Sequence, residues 1–95
     1  MYYCLFYDYV DNALEKRTPF RPGHLNLVKD FQAQGKLILA GAYNDPLDGA
    51  LLIFKADSPL DLENFVEQDP YVKNGLVTNW KIRAWNVVAG NAFSE

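Results

Sequence analysis

Apolar positions along the chain fall into four short runs and two stripes of helical spacing. Between Tyr2 and Tyr9 both alternating faces are apolar, with Tyr3, Leu5 and Tyr7 on one and Tyr2, Cys4 and Phe6 on the other. That pattern predicts a strand covered from both sides. Asp11 and Asn12 open a polar loop that continues through Glu15, Lys16 and Arg17, and Pro19 and Pro22 punctuate the start of a helix. Leu25, Leu27, Val28 and Phe31 supply the helical stripe and Gly35 a stop, so a first helix is expected over 22–34. Residues 36–43 read as a second strand, 44–49 as a tight turn, and 50–56 as a third strand, again apolar on both faces. Ser58, Pro59 and Asp61 read as an N-cap, a proline at the first helical position and an acid in the first turn. Leu62, Phe65 and Val66 give that second helix its apolar stripe. It is expected to stop at Asp69, because Pro70 disfavours a helical residue before it. A short connection over 71–75 then leads into a fourth strand at 77–85.

The order β-α-β-β-α-β predicts an α+β, ferredoxin-like sandwich: a four-stranded antiparallel sheet with two helices on one face, since both crossovers are right-handed. The other face carries apolar side chains from at least three strands. Ninety-five residues have nothing left to cover it, and a homodimer packed through the helix-free sheet face is expected. One domain spans 1–95, with a core over about 2–88 and a C-terminal tail at 89–95.

Composition narrows the function. Two Trp, six Tyr and six Phe are a heavy aromatic load for so small an interior, and much of it is assigned to the helix-free face and its dimer contact. Nine basic residues against twelve acidic, net charge -3 and unclustered, argue against nucleic acid as a partner. No apolar run reaches the ~20 residues of a membrane span, and the start of the chain lacks the charged region of a secretory signal. The chain reads as cytoplasmic, with no membrane partner. One cysteine excludes an internal disulfide, and one cysteine with one histidine argues against a metal centre built on those ligands. Cys4, inside a strand pattern, reads as packing. Trp80 and Trp85 read as core or interface.

The topology brings two titrating residues together. His24, in the first turn of the first helix, and Asp69, at the end of the second, fall at the same end of the sandwich, with Asp8, Gly41 and the 44–49 turn. A carboxylate at a helix C-terminus faces the negative end of the dipole and calls for a compensating donor or cation. An aspartate beside a histidine fixes which ring nitrogen keeps the proton, which is how a general base is oriented. Arg21 and Arg17, just upstream, are candidates to hold an anionic substrate or to compete for Asp69. Gly41 offers a ligand close approach to a strand end. Tyr71 is a candidate contact over the same end of the core. The bland alternatives stay open at this point: a His and Asp pair that only ties two elements together, an Asp-Pro step that only stops a helix, and arginines that are solvated loop charges.

Arg21-Pro22-Gly23-His24-Leu25, Gly35-Lys36-Leu37 leading into Ala40-Gly41, Phe65 with Asp69-Pro70-Tyr71 and Gly75, and Trp85 near the end of the last strand resemble the YciI-related (YCII) domain family. The resemblance runs from Tyr2 to about Val88. It implies a dimeric α+β barrel and a His and Asp active-site pair falling on His24 and Asp69. The segment between Ala42 and Leu51 is short beside the glycine-rich loop of many members, which implies a more open cleft. One branch of the family removes chloride from a chlorinated hydroxyquinol.

The function expected is therefore cofactor-free, metal-free acid/base chemistry by His24 and Asp69 on a small polar or aromatic molecule, with Arg21, Gly41 and Tyr71 binding it. The alternative is a non-catalytic small-molecule-binding or accessory domain in which the pair is structural. A cofactor-independent oxygenase would require an enclosed aromatic pocket.

Overall fold

A computed structural model describes residues 1–90; of the C-terminal tail, residues 91–95 lie outside the described residues. Strand β1 (Tyr2–Tyr9) is followed by a short helix α1 (Ala13–Lys16), a 3-10 turn (Thr18–Phe20) and the long helix α2 (Arg21–Ala33). Strands β2 (Leu37–Ala42) and β3 (Gly49–Lys55) come next, then α3 (Leu60–Gln68), a one-turn helix α4 (Pro70–Lys73) and β4 (Val77–Trp85). The sheet has the order β2-β3-β1-β4, and every neighbouring pair is antiparallel. This is the expected ferredoxin-like α+β arrangement, with the helices on one face.

Local chemistry explains the boundaries. α2 ends where the pattern places it, because Gly35 takes φ 75° and its N–H and that of Lys36 close back on Gln32 and Phe31. The polar stretch expected as loop instead forms α1 and the 3-10 turn, each a single turn on which a periodicity argument has no purchase. α3 begins one residue later than expected: Pro59 is its N-cap, and the Ser58 hydroxyl accepts from the Leu60 N–H at 3.3 Å. The 71–75 connection is mostly helical, since Pro70 suits a first helical position.

The core lies between sheet and helices. Tyr3, Leu5 and Tyr7 from β1, Leu52 and Phe54 from β3, Phe31 from α2, and Leu62, Phe65 and Val66 from α3 make one buried cluster. Phe31, Phe54 and Phe65 meet edge to face, with centroids 5.2 to 6.2 Å apart. The aromatic surplus thus lies mainly on the helix side rather than on the helix-free face, which holds Tyr2 and Phe6 and, by register with Tyr2, Trp85. Cys4 packs in that smaller cluster, and burial pushes its thiol up from the ordinary range. Trp80 and Trp85 are each 41% exposed and belong to neither core. No helix among the described residues is long and apolar enough to cross a membrane.

Candidate active site

The end of the sheet where β1 finishes is also where α2 starts and α4 begins. Asp69 sits at that junction with no exposed surface. It closes α3 and at the same time N-caps α4, so Oδ1 accepts from the Tyr71 N–H at 3.0 Å. The unfavourable helix-C-terminal placement expected for this carboxylate is therefore offset by its second role as a cap. Two side chains complete its shell. His24 Nδ1 lies 2.8 Å from Oδ1, and the Tyr7 hydroxyl donates to Oδ2 at 2.7 Å. Neither Arg17 nor Arg21 forms an ion pair with it, so the expected competition for Asp69 does not occur.

Close backbone packing makes the 2.8 Å contact attainable. A Cβ on Gly23 would stand 3.1 Å from Cγ of Pro70, so the residue before His24 rides directly on the residue after Asp69. With Nδ1–H donating to a carboxylate, the lone pair of the imidazole is placed on Nε2, which has no partner within the described residues. The Tyr71 ring stacks on His24 with centroids 3.9 Å apart and planes within 6°, and Phe65 meets the imidazole edge-on. Packing and hydrogen bond together leave the ring one orientation and 12% of its side chain exposed.

That exposed part faces a cleft of about 420 Å³ between α2 and the β2 and β3 end of the sheet, a size suited to one small molecule. His24, Arg21, Gly41 and Tyr71 all line it, so four of the five expected site residues share one cavity, and the fifth, Asp69, lies behind the imidazole. Gly41 borders it along the backbone, where a Cβ would meet nothing within 4 Å. Asp8, at the same end, is exposed and does not line the cleft.

Tyr7 and Tyr9 are the site residues that sequence reasoning missed. A tyrosine on the inward face at the end of a buried strand must find a partner for its hydroxyl, and that need was the available signal for Tyr7. Burial, then the Asp69 charge and the hydrogen bond to it, hold the Tyr7 phenol far above the ordinary tyrosine range. Burial also raises the Tyr9 and Tyr71 phenols, whose rings meet at a right angle, while the Arg17 and Arg21 guanidiniums pull both back down.

Comparison with known proteins agrees with this architecture. A protein of Haemophilus influenzae, itself uncharacterized, is 30% identical over 98 residues that cover 93% of this chain and 99% of that one. The YciI protein of Escherichia coli is 27% identical over 97 residues, with the same coverage. Among solved structures, the 5-chloro-2-hydroxyhydroquinone dehydrochlorinase TftG of Burkholderia phenoliruptrix, in complex with 2,5-dihydroxybenzoquinone, superposes with a TM-score of 0.77. It covers 90% of this chain and 94% of its own, at 23% identity, a likeness of fold. Residues 1–86 match the YCII-related domain, and the chain belongs to that family.

Proposed function

We propose that the protein is a cofactor-free enzyme in which His24, oriented by Asp69, moves a proton on a small polar or aromatic molecule held in the cleft. The observation that carries this reading is the 2.8 Å contact between Nδ1 and the buried carboxylate, in a histidine whose remaining edge reaches a cavity. Nε2 takes the substrate proton, and the imidazolium so formed is balanced across Nδ1–H by Asp69, which stays ionised. TftG, of the same fold, acts on a chlorinated hydroxyhydroquinone, which makes small hydroxylated rings the first compounds to try. The assay compares the whole protein with His24→Gln on 5-chloro-2-hydroxyhydroquinone and related hydroxyquinols. Loss of turnover with an unchanged unfolding curve supports the reading; unchanged turnover rejects it.

One observation favours a second reading. Asp69 alone joins β1, α2 and α4 through Tyr7, His24 and the Tyr71 N–H, the work expected of a structural clamp in a binding or accessory domain. A large loss of stability in His24→Gln, with no turnover in the wild type, is the result that reading requires.

We further propose that the protein acts as a homodimer through the helix-free sheet face, where Cys4, Leu51 and Ile53 lie beside Leu39, itself 56% exposed at the edge strand.

A further inference from the structure

The cleft has a charge of one sign. Among the described residues its lining contains two guanidiniums, Arg17 and Arg21, and no carboxylate, although the chain as a whole is net acidic. Neither arginine is in an ion pair with a described residue. Arg17 reaches the cleft from the end of α1 and Arg21 from the first position of α2, whose N-terminus has no side-chain cap. The helix dipole therefore adds to the same positive potential.

A second feature adjoins both the arginines and the histidine. Tyr71 is only 1% exposed, lines the cleft, and its hydroxyl makes no hydrogen bond of full geometry among the described residues, the Arg21 guanidinium being its near polar neighbour. Native structures rarely leave a buried hydroxyl without a well-formed hydrogen bond, so this oxygen has capacity left for a ligand. Arg17 and Arg21 both favour its ionised form against burial, Arg21 by a side-chain contact with the hydroxyl as well as by charge, so both guanidiniums reach this oxygen. The stacking of Tyr71 on His24 puts the donor beside the imidazole. The remaining walls are largely apolar, with Leu25 and Val28 from α2 facing Leu52 from β3.

We infer that the cleft takes a small organic oxyanion with an apolar body, its charged oxygens held by Arg17 and Arg21 and accepting from the Tyr71 hydroxyl. The inference builds on the proposed acid/base function and names its substrate class: a carboxylate or phenolate-type anion whose charged end lies next to the proton-transfer base. Two guanidiniums and a phenol are donors matched to planar oxyanions. They keep a negative charge stabilised while a proton is taken from the same molecule.

Binding is read without turnover, so the result does not depend on whether His24 moves a proton. The full-length protein is titrated by NMR at low salt with benzoate, with 4-nitrophenolate at a pH where it is ionised, and with neutral benzamide. At least one anion is expected to bind with shifts in cleft residues, benzamide about tenfold or more weaker, and added salt is expected to weaken the anion alone. Arg17→Gln and Arg21→Gln are each expected to cost about tenfold, Arg21→Lys less, and Tyr71→Phe several-fold. Benzoate binding more tightly than 4-nitrophenolate identifies carboxylates, and the reverse identifies phenolates. No binding of either anion, equal binding of benzamide, or anion affinity unchanged in both glutamine variants with wild-type melting curves overturns the proposal.

Discussion

The hydroxyl of Tyr7 donates to Oδ2 of Asp69 at 2.7 Å, across 62 positions of sequence, and both residues are fully buried. The carboxylate that orients His24 is thus itself oriented from the sheet. Removing the donor leaves Oδ2 without that hydrogen bond in a site that water does not reach. Tyr7→Phe is expected to lower stability by about 1–3 kcal/mol in urea unfolding, and to reduce turnover beyond that loss because Asp69 gains freedom to rotate away from His24. Turnover at the wild-type rate removes Tyr7 from the positioning of the site.

Asp69→Asn keeps an oxygen for the Tyr71 N–H but removes the charge, and its amide is able to favour the other imidazole tautomer. By analogy with triads in which the aspartate is replaced by asparagine, turnover is expected to fall by about 10²–10⁴. Far-UV circular dichroism is expected to stay native-like, since the cap is retained.

Gly23→Ala tests the contact that brings α2 onto α4. Alanine adds helix propensity, worth up to about 1 kcal/mol, but its Cβ stands 3.1 Å from Pro70 Cγ and requires the two helices to part by a few tenths of an ångström. Stability is expected to change by less than about 1 kcal/mol, while the His24 to Asp69 distance lengthens and turnover falls. A crystal structure of the variant with the 2.8 Å contact unchanged contradicts this.

Alkaline pH acts through the buried tyrosine. Tyr7 titrates far above its ordinary range in the folded protein because of burial and Asp69, whereas in the unfolded chain it ionises near pH 10. The unfolded state therefore binds fewer protons than the native state above pH 10, and the stability due to Tyr7 is present below that pH and lost as pH rises further. Urea unfolding is expected to show no pH dependence from Tyr7 up to pH 9, then a decline of about 1.4 kcal/mol per pH unit from this group. Tyr7→Phe is expected to lessen that slope.

Leu39→Glu addresses assembly. A carboxylate placed on the helix-free face is buried without a partner in the proposed dimer, and a rise in the dissociation constant of about a hundredfold is expected by sedimentation. The helix-side core is not touched, so the variant is expected to remain folded. A dimer of unchanged strength places the interface elsewhere.

Much of this was legible in the residues. The two-faced apolar pattern of β1 and β3, the Gly35 stop and the Pro70 break placed every strand and both long helices, and topology brought His24 to Asp69. What escaped was governed by contacts rather than pattern. Tyr7 looked like another inward apolar residue, because period-two alternation is blind to where a hydroxyl points. α1, the 3-10 turn and α4 are too short to show a period. The double role of Asp69 as the end of one helix and the cap of the next emerges only once Pro70 is seen to begin a helix. Most of the buried aromatics lie on the helix side of the sheet, and a count of rings does not tell a Phe-lined core from an interface.

In the proposed mechanism Asp69 fixes His24 as the Nδ1–H tautomer, with Nε2 left free for the cleft. His24 is the only histidine in the chain, so a long-range ¹H–¹⁵N correlation spectrum of the whole protein reads this one ring without assignment ambiguity. In the neutral ring a protonated Nδ1 and an unprotonated Nε2 are expected, with that pattern lost in Asp69→Asn. A protonated Nε2, or a mixture of tautomers unaffected by the Asp69 substitution, contradicts it.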